Sequence, residues 1–248
     1  MAERRYYRVA GQSFSIMAED DFFAMMDNYI PFGMHDINAG TSHVNIPPQS
    51  QEPLFDLTIE KLSTFQFSPF NFHLLFTDMS DDDMPRIEIY RSNTELNRPC
   101  VKLNSHIWLF RIAERKTSPI CANLSASADF RQASLQMLNG CDYRFAIDTA
   151  AMLLFAFTSA GHDILLLHAS AMVRDNQAFL FLGRSGTGKS THSRQWQQAY
   201  PDAWLLNDDN PVLRIMPDMT KENIDYKYSS MVHHGVVKLP AICKNMHL

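Results

Sequence analysis

The run of residues 183–190, Gly-Arg-Ser-Gly-Thr-Gly-Lys-Ser, constrains the fold of this chain more than any other segment. It fits the pattern G-x-x-x-x-G-K-[ST], whose glycines allow a tight turn with successive N–H groups pointing inward. The apolar segment 178–182 before it is typical of a strand, and residues 191–200 after it have helical character. A strand, a glycine loop and a helix in this order predict an anion site at the positive end of the helix dipole.

The chemistry of this loop is that of a phosphate cradle, the P-loop. The ammonium group of Lys189 would reach the outer phosphates of a nucleotide, and the Ser190 hydroxyl would bind Mg²⁺. An ordinary strand-to-helix turn is the alternative, but all the fixed positions match in the required context. The residues predicted to bind the nucleotide are Gly183, Arg184, Ser185, Gly186, Thr187, Gly188, Lys189, Ser190 and Thr191.

Composition is that of an ordinary globular protein. The chain has 248 residues, of which 46% are hydrophobic and 20% charged, and its formal net charge is −5. Mild acidity without a basic cluster argues against nucleic acid as the main partner. The cysteines, at positions 100, 121, 141 and 243, have no spacing typical of a metal site, so we interpret them as reduced thiols.

We expect no leader peptide and no membrane span. Two arginines near the N-terminus are not followed by an apolar stretch, which excludes a signal peptide. The longest apolar region, 149–167, is interrupted by Gly161-His162-Asp163 and is better explained by a buried helix, a turn and a strand. A cytoplasmic location follows as an expectation.

Two regions of different character follow one another along the chain. Residues 1–140 are predicted to be β-rich, and residues 141–248 to form a nucleotide-binding domain. In the first region, residues 54–60, 86–91, 101–113 and 122–138 have strand character, and 40–53 and 78–85 are polar loops. The acidic 78–85 loop is better explained as a solvated turn than as a metal site. In the second region we predict a helix over 143–159, a buried strand over 164–173, a hairpin turn over 174–177 and strands on either side of Asn207–Pro211.

An aspartate pair, Asp208-Asp209, follows a short apolar strand 19 positions after Lys189. That gap has room for one helix, so the pair arrives at the end of the next strand. Carboxylates beside a P-loop suit Mg²⁺ coordination and activation of an attacking hydroxyl or water. An acidic turn is the alternative, because Asp-Asp-Asn-Pro is also good turn chemistry.

One histidine, His168, ends the apolar run 164–167. A lone histidine on a strand is usually a core or edge residue. Its strand precedes the P-loop strand, however, and an imidazole near a phosphate could orient or protonate an oxygen. We therefore keep both interpretations open, and we interpret His162, His192 and the His233-His234 pair as surface residues.

These segments resemble a known family. Residues 183–193 and 205–209 are similar to the kinase domain of HPr kinase/phosphorylase and, more distantly, to the nucleotide site of phosphoenolpyruvate carboxykinase. The run Gly-Arg-Ser-Gly-Thr-Gly-Lys-Ser-Thr-His-Ser, followed at 206–211 by Leu-Asn-Asp-Asp-Asn-Pro, is closest to uncharacterised HPr-kinase-like proteins. The resemblance is strong over 143–216 and loose in the β-rich region. It implies a mixed α/β (α+β) fold with a carboxykinase-like P-loop core.

The resemblance also implies an activity and its residues. ATP and Mg²⁺ would be the cofactors, and the γ-phosphoryl group would pass to a hydroxyl of an unknown protein or small molecule. Lys189 and His168 would lie at the transferred group. Asp208 and Asp209 would bind the metal together with Ser190, and the two aspartates would also share the role of general base. The sequence does not divide these roles between the aspartates, and it leaves the acceptor and the oligomeric state open.

The C-terminal segment departs from this family. Relatives have a loop Tyr-Gly-Thr-Pro-Trp-Ser-Gly-Lys-Thr-Pro-Cys-Tyr where this chain has Met-Val-His-His-Gly-Val-Val-Lys-Leu-Pro-Ala-Ile at 231–242. Back-translated with free third bases and read one nucleotide earlier, from the last base of the Ser230 codon, this segment spells the family loop residue for residue. We therefore expect a shifted reading frame over 230–242 and a truncated catalytic domain.

Two other functions remain open at this point. A nucleotide-binding module without catalysis is favoured by the missing loop. An ordinary P-loop ATPase is disfavoured by the short gap to Asp208 and by the hairpin that leads into the P-loop strand.

Overall fold

The computed structural model describes residues 2–34, 52–65, 72–77, 85–92 and 108–215, and the backbone of residues 236–240. The chain divides into two units, Met1–Ser159 and Ala160–Leu248. The predicted loops at 40–53 and 78–85 lie mostly outside the described residues, as does the segment 230–242 apart from one strand. The boundary near residue 140 stays a prediction about where the nucleotide-binding domain begins.

The first unit is built on a mixed sheet of eight strands. The strands are β1 Ala2–Val9, β2 Gln12–Glu19, β3 Asp56–Leu62, β4 Phe72–Thr77, β5 Arg86–Ser92, β6 Trp108–Ala113, β7 Ala122–Ala126 and β8 Gln132–Leu138. They lie in the order β1-β2-β3-β8-β7-β6-β5-β4. Strand β3 is parallel to both β2 and β8, and the other neighbouring pairs are antiparallel. A mixed sheet with helices in the same chain agrees with the α+β class expected from the sequence.

A long apolar helix, α2 (Tyr143–Ser159), belongs to this unit and has the bounds predicted from the sequence. The ring of Phe155 meets Phe14 at a centroid distance of 6.2 Å, and Phe157 stacks on Phe130 at 4.6 Å. By length and composition alone, residues 143–162 would suffice to cross a membrane, but 44% of that segment is buried inside the protein. Part of its apolar surface therefore packs in the core of this unit. A short helix, α1 (Asp20–Phe23), and 3₁₀ turns at Asp27–Phe32 and Ala160–His162 are also present.

The strands and the α-helix described in the second unit are β9 Ile164–Leu166, β10 Ala169–Arg174, β11 Gln177–Leu182, α3 Lys189–Ala199, β12 Trp204–Asn207, β13 Val212–Arg214 and β14 Val236–Pro240. Four of the strands form an antiparallel sheet in the order β12-β10-β11-β14. A separate two-stranded sheet pairs β9 with β13, and the helix α3 follows the glycine loop.

The single buried strand predicted over 164–173 is wrong in one respect, because it is divided at Leu167-His168. Strand β9 pairs with β13, whereas β10 pairs with β11 and β12. The hairpin turn between β10 and β11 is as predicted. Asp175 and Asn176 both have positive φ, 50° and 58°, as a two-residue type I′ turn requires.

Strand β10 determines where the predicted site residues meet. It lies between β11 and β12 and runs antiparallel to both, so β11 and β12 are parallel to each other. The first residues of β10 therefore lie beside the last residues of both neighbours. Met172 and Phe181 pack beneath Trp196 and Tyr200, whose rings meet at 5.3 Å, and this packing holds α3 over the sheet.

Candidate functional site

The glycine loop, residues 183–190, connects β11 to α3 and its residues 183–188 are exposed. Gly186 and Gly188 have φ of +77° and +88°, a region that side chains with a Cβ rarely adopt. At Gly183 a Cβ would lie 2.7 Å from Oγ1 of Thr187, too close for any other residue without movement. Of the two glycines that the motif requires, Gly183 is explained by the lack of space for a Cβ and Gly188 by its positive φ.

The N-terminus of α3 opens toward this exposed loop. Its N-cap is Gly188, which has no side chain to accept a hydrogen bond from the first turn, and no acidic residue occupies that turn. The positive end of the helix dipole is thus not neutralised by the helix's own side chains. This arrangement favours an external anion.

The ammonium group of Lys189 is folded back over the loop. It donates to the carbonyl oxygens of Gly183, at 3.1 Å, and Arg184, at 3.2 Å, and its Nζ lies 2.8 Å from Nε2 of His168. All three partners are neutral acceptors when the imidazole is neutral. The positive charge is therefore held at the mouth of the loop without an ion-pair partner among these contacts.

The imidazole of His168 lies between Lys189 and Asp209. Its Nδ1 is 3.1 Å from Oδ1 of Asp209, so an Nδ1–H that donates to the carboxylate leaves Nε2 to accept from the ammonium. This set of contacts assigns the Nδ1–H tautomer. His168 is therefore not an isolated edge histidine, because its ring contacts both Lys189 and Asp209.

The aspartate pair lies in a turn that its neighbours stabilise. Oδ1 of Asn207 accepts hydrogen bonds from the backbone N–H groups of Asp209 and Asn210, both at 2.9 Å. Nδ2 of Asn210 donates to Oδ2 of Asp209 at 2.8 Å, and the backbone carbonyl of Asp209 accepts from Ala169. An acidic turn and a functional aspartate pair are therefore compatible interpretations, because the turn itself positions the Asp209 carboxylate.

Asp208 has different partners from Asp209. Its Oδ1 accepts from the hydroxyl of Ser170 at 2.7 Å, and that hydroxyl lies 2.5 Å from Oγ of Ser193 on α3. Ser170 and Ser193 are fully buried. Because the Ser170 hydroxyl donates to Asp208, the Ser193 hydroxyl donates to Ser170, and its Oγ lies 3.2 Å from the backbone carbonyl oxygen of Lys189. This chain of contacts fixes the carboxylate of Asp208 relative to the first turns of α3.

Sequence reasoning missed Ser170 and Ser193. A signal was present, since the alternation of β10 places Ser170 with Met172 on the side that faces α3. A polar residue on an apolar strand face beside the glycine loop requires a hydrogen-bond partner. Of the other residues predicted to bind the nucleotide, Ser185 and Gly186 lie in the exposed loop, and Ser190 and Thr191 lie in the first turn of α3. His192, predicted to be a surface residue, is exposed but its ring meets Phe181 at 4.6 Å.

Comparison with known proteins gives one distant relationship. No family model matches the chain. Over 100 residues it is 32% identical to "Phosphoenolpyruvate carboxykinase (ATP)" from Kluyveromyces lactis. The matched segment is 39% of this chain and 17% of that protein, so the chain spans only a small part of its relative.

Proposed function

We propose that this chain binds ATP at residues 183–191 and transfers its γ-phosphoryl group to a hydroxyl. The observation that carries the proposal is the set of contacts joining Lys189, His168 and Asp209 at the mouth of the glycine loop. The similarity to a protein named as an ATP-dependent carboxykinase supports a nucleotide as the ligand. The proposed core is a P-loop domain of the HPr kinase and carboxykinase type over 141–248, in a cytoplasmic protein.

Phosphate binding would use charge that the loop already presents. The carbonyl oxygens that now accept from Lys189 are weak partners for an ammonium compared with phosphate oxygens, since hydrogen bonds between ionised groups are stronger. On binding, Lys189 would exchange Gly183 and Arg184 for the outer phosphates. The backbone of the loop and the N-terminus of α3 would hold the remaining phosphate oxygens.

The residues present fit a magnesium ion. Ser190, Asp208 and Asp209 offer hydroxyl and carboxylate oxygens, which Mg²⁺ prefers, and substrate phosphates and water normally complete its coordination. The ion would neutralise charge between the outer phosphates. The buried contacts of Asp208 with Ser170 orient one of these carboxylates before any ligand arrives.

Asp208 and Asp209 have different contacts, and we assign them different roles. Asp208 is tied through Ser170 and Ser193 to α3, the helix that carries Ser190, so we assign it to metal binding. Both aspartates are exposed, but it is Asp209 that contacts His168, so we assign it to the acceptor hydroxyl, as base or as the group that orients the imidazole. His168 would lie beside the transferred phosphoryl group.

A nucleotide-binding module without turnover is the second candidate. The observation that favours it is that residues 231–242 do not have the family loop in the frame as written. The two candidates share the binding site and differ only in phosphoryl transfer. Genomic sequencing across codons 230–242 tests the shifted frame, and a clean read that does not encode the loop in either frame removes that explanation.

Separate measurements of binding and transfer test the proposal. Calorimetry with Mg-ATP measures binding, and release of inorganic phosphate measures transfer to water as a surrogate acceptor. We expect Lys189→Ala to lose at least tenfold in affinity, and Lys61→Ala, in the first unit, to bind as the wild type does. Equal affinity in wild type and Lys189→Ala contradicts the binding site. Binding without phosphate release, in the chain carrying the family loop, contradicts the kinase and supports the module.

A further inference from the structure

A second cluster of reactive side chains lies in the first unit, where three strands come to one edge of the sheet. Glu114 follows the last residue of β6, Cys121 precedes the first residue of β7, and Cys141 comes shortly after β8. Because β7 is antiparallel to both β6 and β8, these three positions meet at the same edge. The spacing of the cysteines in the sequence, from which we predicted no metal site, does not reveal that these three residues meet.

Backbone contacts hold the three residues in place. Cys121 donates to the carbonyl of Ile112 at 2.9 Å and accepts from Leu138 at 2.9 Å, so it is fixed to both neighbouring strands. Cys141 donates from its backbone to Leu138 at 3.2 Å, after a turn in which Gly140 has φ of +86°. The carboxylate of Glu114 accepts from the backbone N–H of Asp142 at 2.8 Å. Each ligand is therefore positioned by an element of the sheet or by the start of α2.

The ligand atoms of Glu114, Cys121 and Cys141 all lie within 4.8 Å of one another. Two sulfurs and a carboxylate oxygen are a donor set that suits zinc, which binds thiolates at about 2.3 Å and carboxylates at about 2.0–2.2 Å. Thiolates also select against Mg²⁺ and Ca²⁺, which prefer oxygen. We propose that Glu114, Cys121 and Cys141 form a zinc-binding site that joins the ends of β6, β7 and β8.

The exposure of the cluster fits a site with one open position. Cys141 is buried, Cys121 is half-buried and Glu114 is exposed, so the cluster opens to solvent on the side of the carboxylate. A water molecule could supply the fourth ligand there. Three protein ligands and one water complete the tetrahedral coordination that zinc prefers.

Metal binding would change the protonation of both cysteines. In the absence of a cation the Cys141 thiol donates to the backbone carbonyl oxygen of Asp142 at 3.6 Å. The thiolate is the form that binds zinc, so each thiol would release its proton on binding. The cation would then neutralise the two thiolates and the Glu114 carboxylate together.

Zinc content and cobalt spectroscopy test this site on the full chain. Protein purified without chelator is analysed for bound metal, and metal-free, reduced protein is titrated with Co²⁺, whose thiolate charge-transfer band reports sulfur ligation. We expect one equivalent of zinc, and a cobalt band that Cys121→Ser removes. Glu114→Gln should weaken zinc affinity by about tenfold or more while the band remains. Cys100→Ser and Cys243→Ser are the matched controls and should retain both signals.

Several outcomes would overturn the proposal. One is zinc binding that survives in Cys121→Ser or that is lost in Cys243→Ser, because the metal would then be elsewhere. Another is a disulfide between Cys121 and Cys141, found by mass spectrometry of unreduced peptides, in protein that binds no metal after reduction. If Cys141→Ser does not fold, Cys121→Ser at the half-buried position still decides the question. These readouts do not depend on ATP binding.

Discussion

Nε2 of His168 lies 2.8 Å from Nζ of Lys189, although 21 positions separate the two residues in the chain. The contact exists because β10 runs antiparallel to β11, so the residue before β10 meets the loop after β11. Asp209 arrives at the same place because β12 ends beside the start of β10. Lys189, His168 and Asp209 come from three different segments of the chain and form one continuous set of polar contacts.

Removing the imidazole should affect phosphoryl transfer more than nucleotide binding. In His168→Ala, Lys189 retains the carbonyl groups of Gly183 and Arg184, whereas Oδ1 of Asp209 loses its contact with the imidazole. We expect phosphate release from Mg-ATP to fall by about 100-fold, the magnitude typical of a lost acid–base group, with affinity changed less than tenfold. His162→Ala, at an exposed position in the 3₁₀ turn, is the control. Unchanged turnover in His168→Ala would show that the imidazole has no role in transfer.

The two aspartates should have separable effects. We expect Asp208→Asn to raise the Mg²⁺ concentration required for half-maximal turnover. Asp209→Asn should lower turnover by about 100-fold even at saturating Mg²⁺, because the group that faces His168 loses its charge. Asp202→Asn, which removes an exposed partner of Arg174, is the control. If both site variants shift the Mg²⁺ requirement equally and neither lowers maximal turnover, the division of roles that we propose is wrong.

Removing the buried hydroxyl of Ser170 should destabilise the protein. In Ser170→Ala the carboxylate of Asp208 and the buried hydroxyl of Ser193 both lose a hydrogen-bond partner. We expect a loss of about 1–3 kcal/mol in the free energy of unfolding, measured by urea denaturation. Gln195→Ala, at an exposed position on α3, should change it by less than about 0.5 kcal/mol. Equal midpoints for these two variants would mean that the buried contacts contribute no net stability.

A buried tyrosine should make the first unit sensitive to alkali. Burial raises the pKa of Tyr7 to about 12, while its ring stacks on Phe14 at 5.4 Å. The unfolded chain ionises near its ordinary pKa of about 10. The stability that this group contributes is therefore complete below pH 10 and is lost as the pH rises toward 12. In Tyr7→Phe the free energy of unfolding should fall less over this window, as urea denaturation at several pH values can measure; parallel curves for the two proteins would contradict the assignment.

Local sequence patterns were sufficient to predict an element whose structure depends mainly on its own residues. The apolar character of 143–159 predicted α2 with its observed bounds, because that character belongs to the segment itself. The turn at 174–177 was also predictable, since Asp and Asn tolerate positive φ. The break at Leu167-His168 was not, because residues on both sides are apolar and only their pairing partners differ.

The glycine loop could be predicted from the sequence alone. Its glycine pattern, its lysine and the aspartate pair after it predict a loop suited to phosphate, because that chemistry depends on residue type and close spacing. Only the tertiary structure decided that Asp209 contacts His168, that Asp208 contacts Ser170, and that Cys121 lies beside Cys141 and Glu114. These contacts depend on which strands are neighbours and in which direction they run. Hydrogen bonding between distant segments sets that order, and no local pattern of residues encodes it.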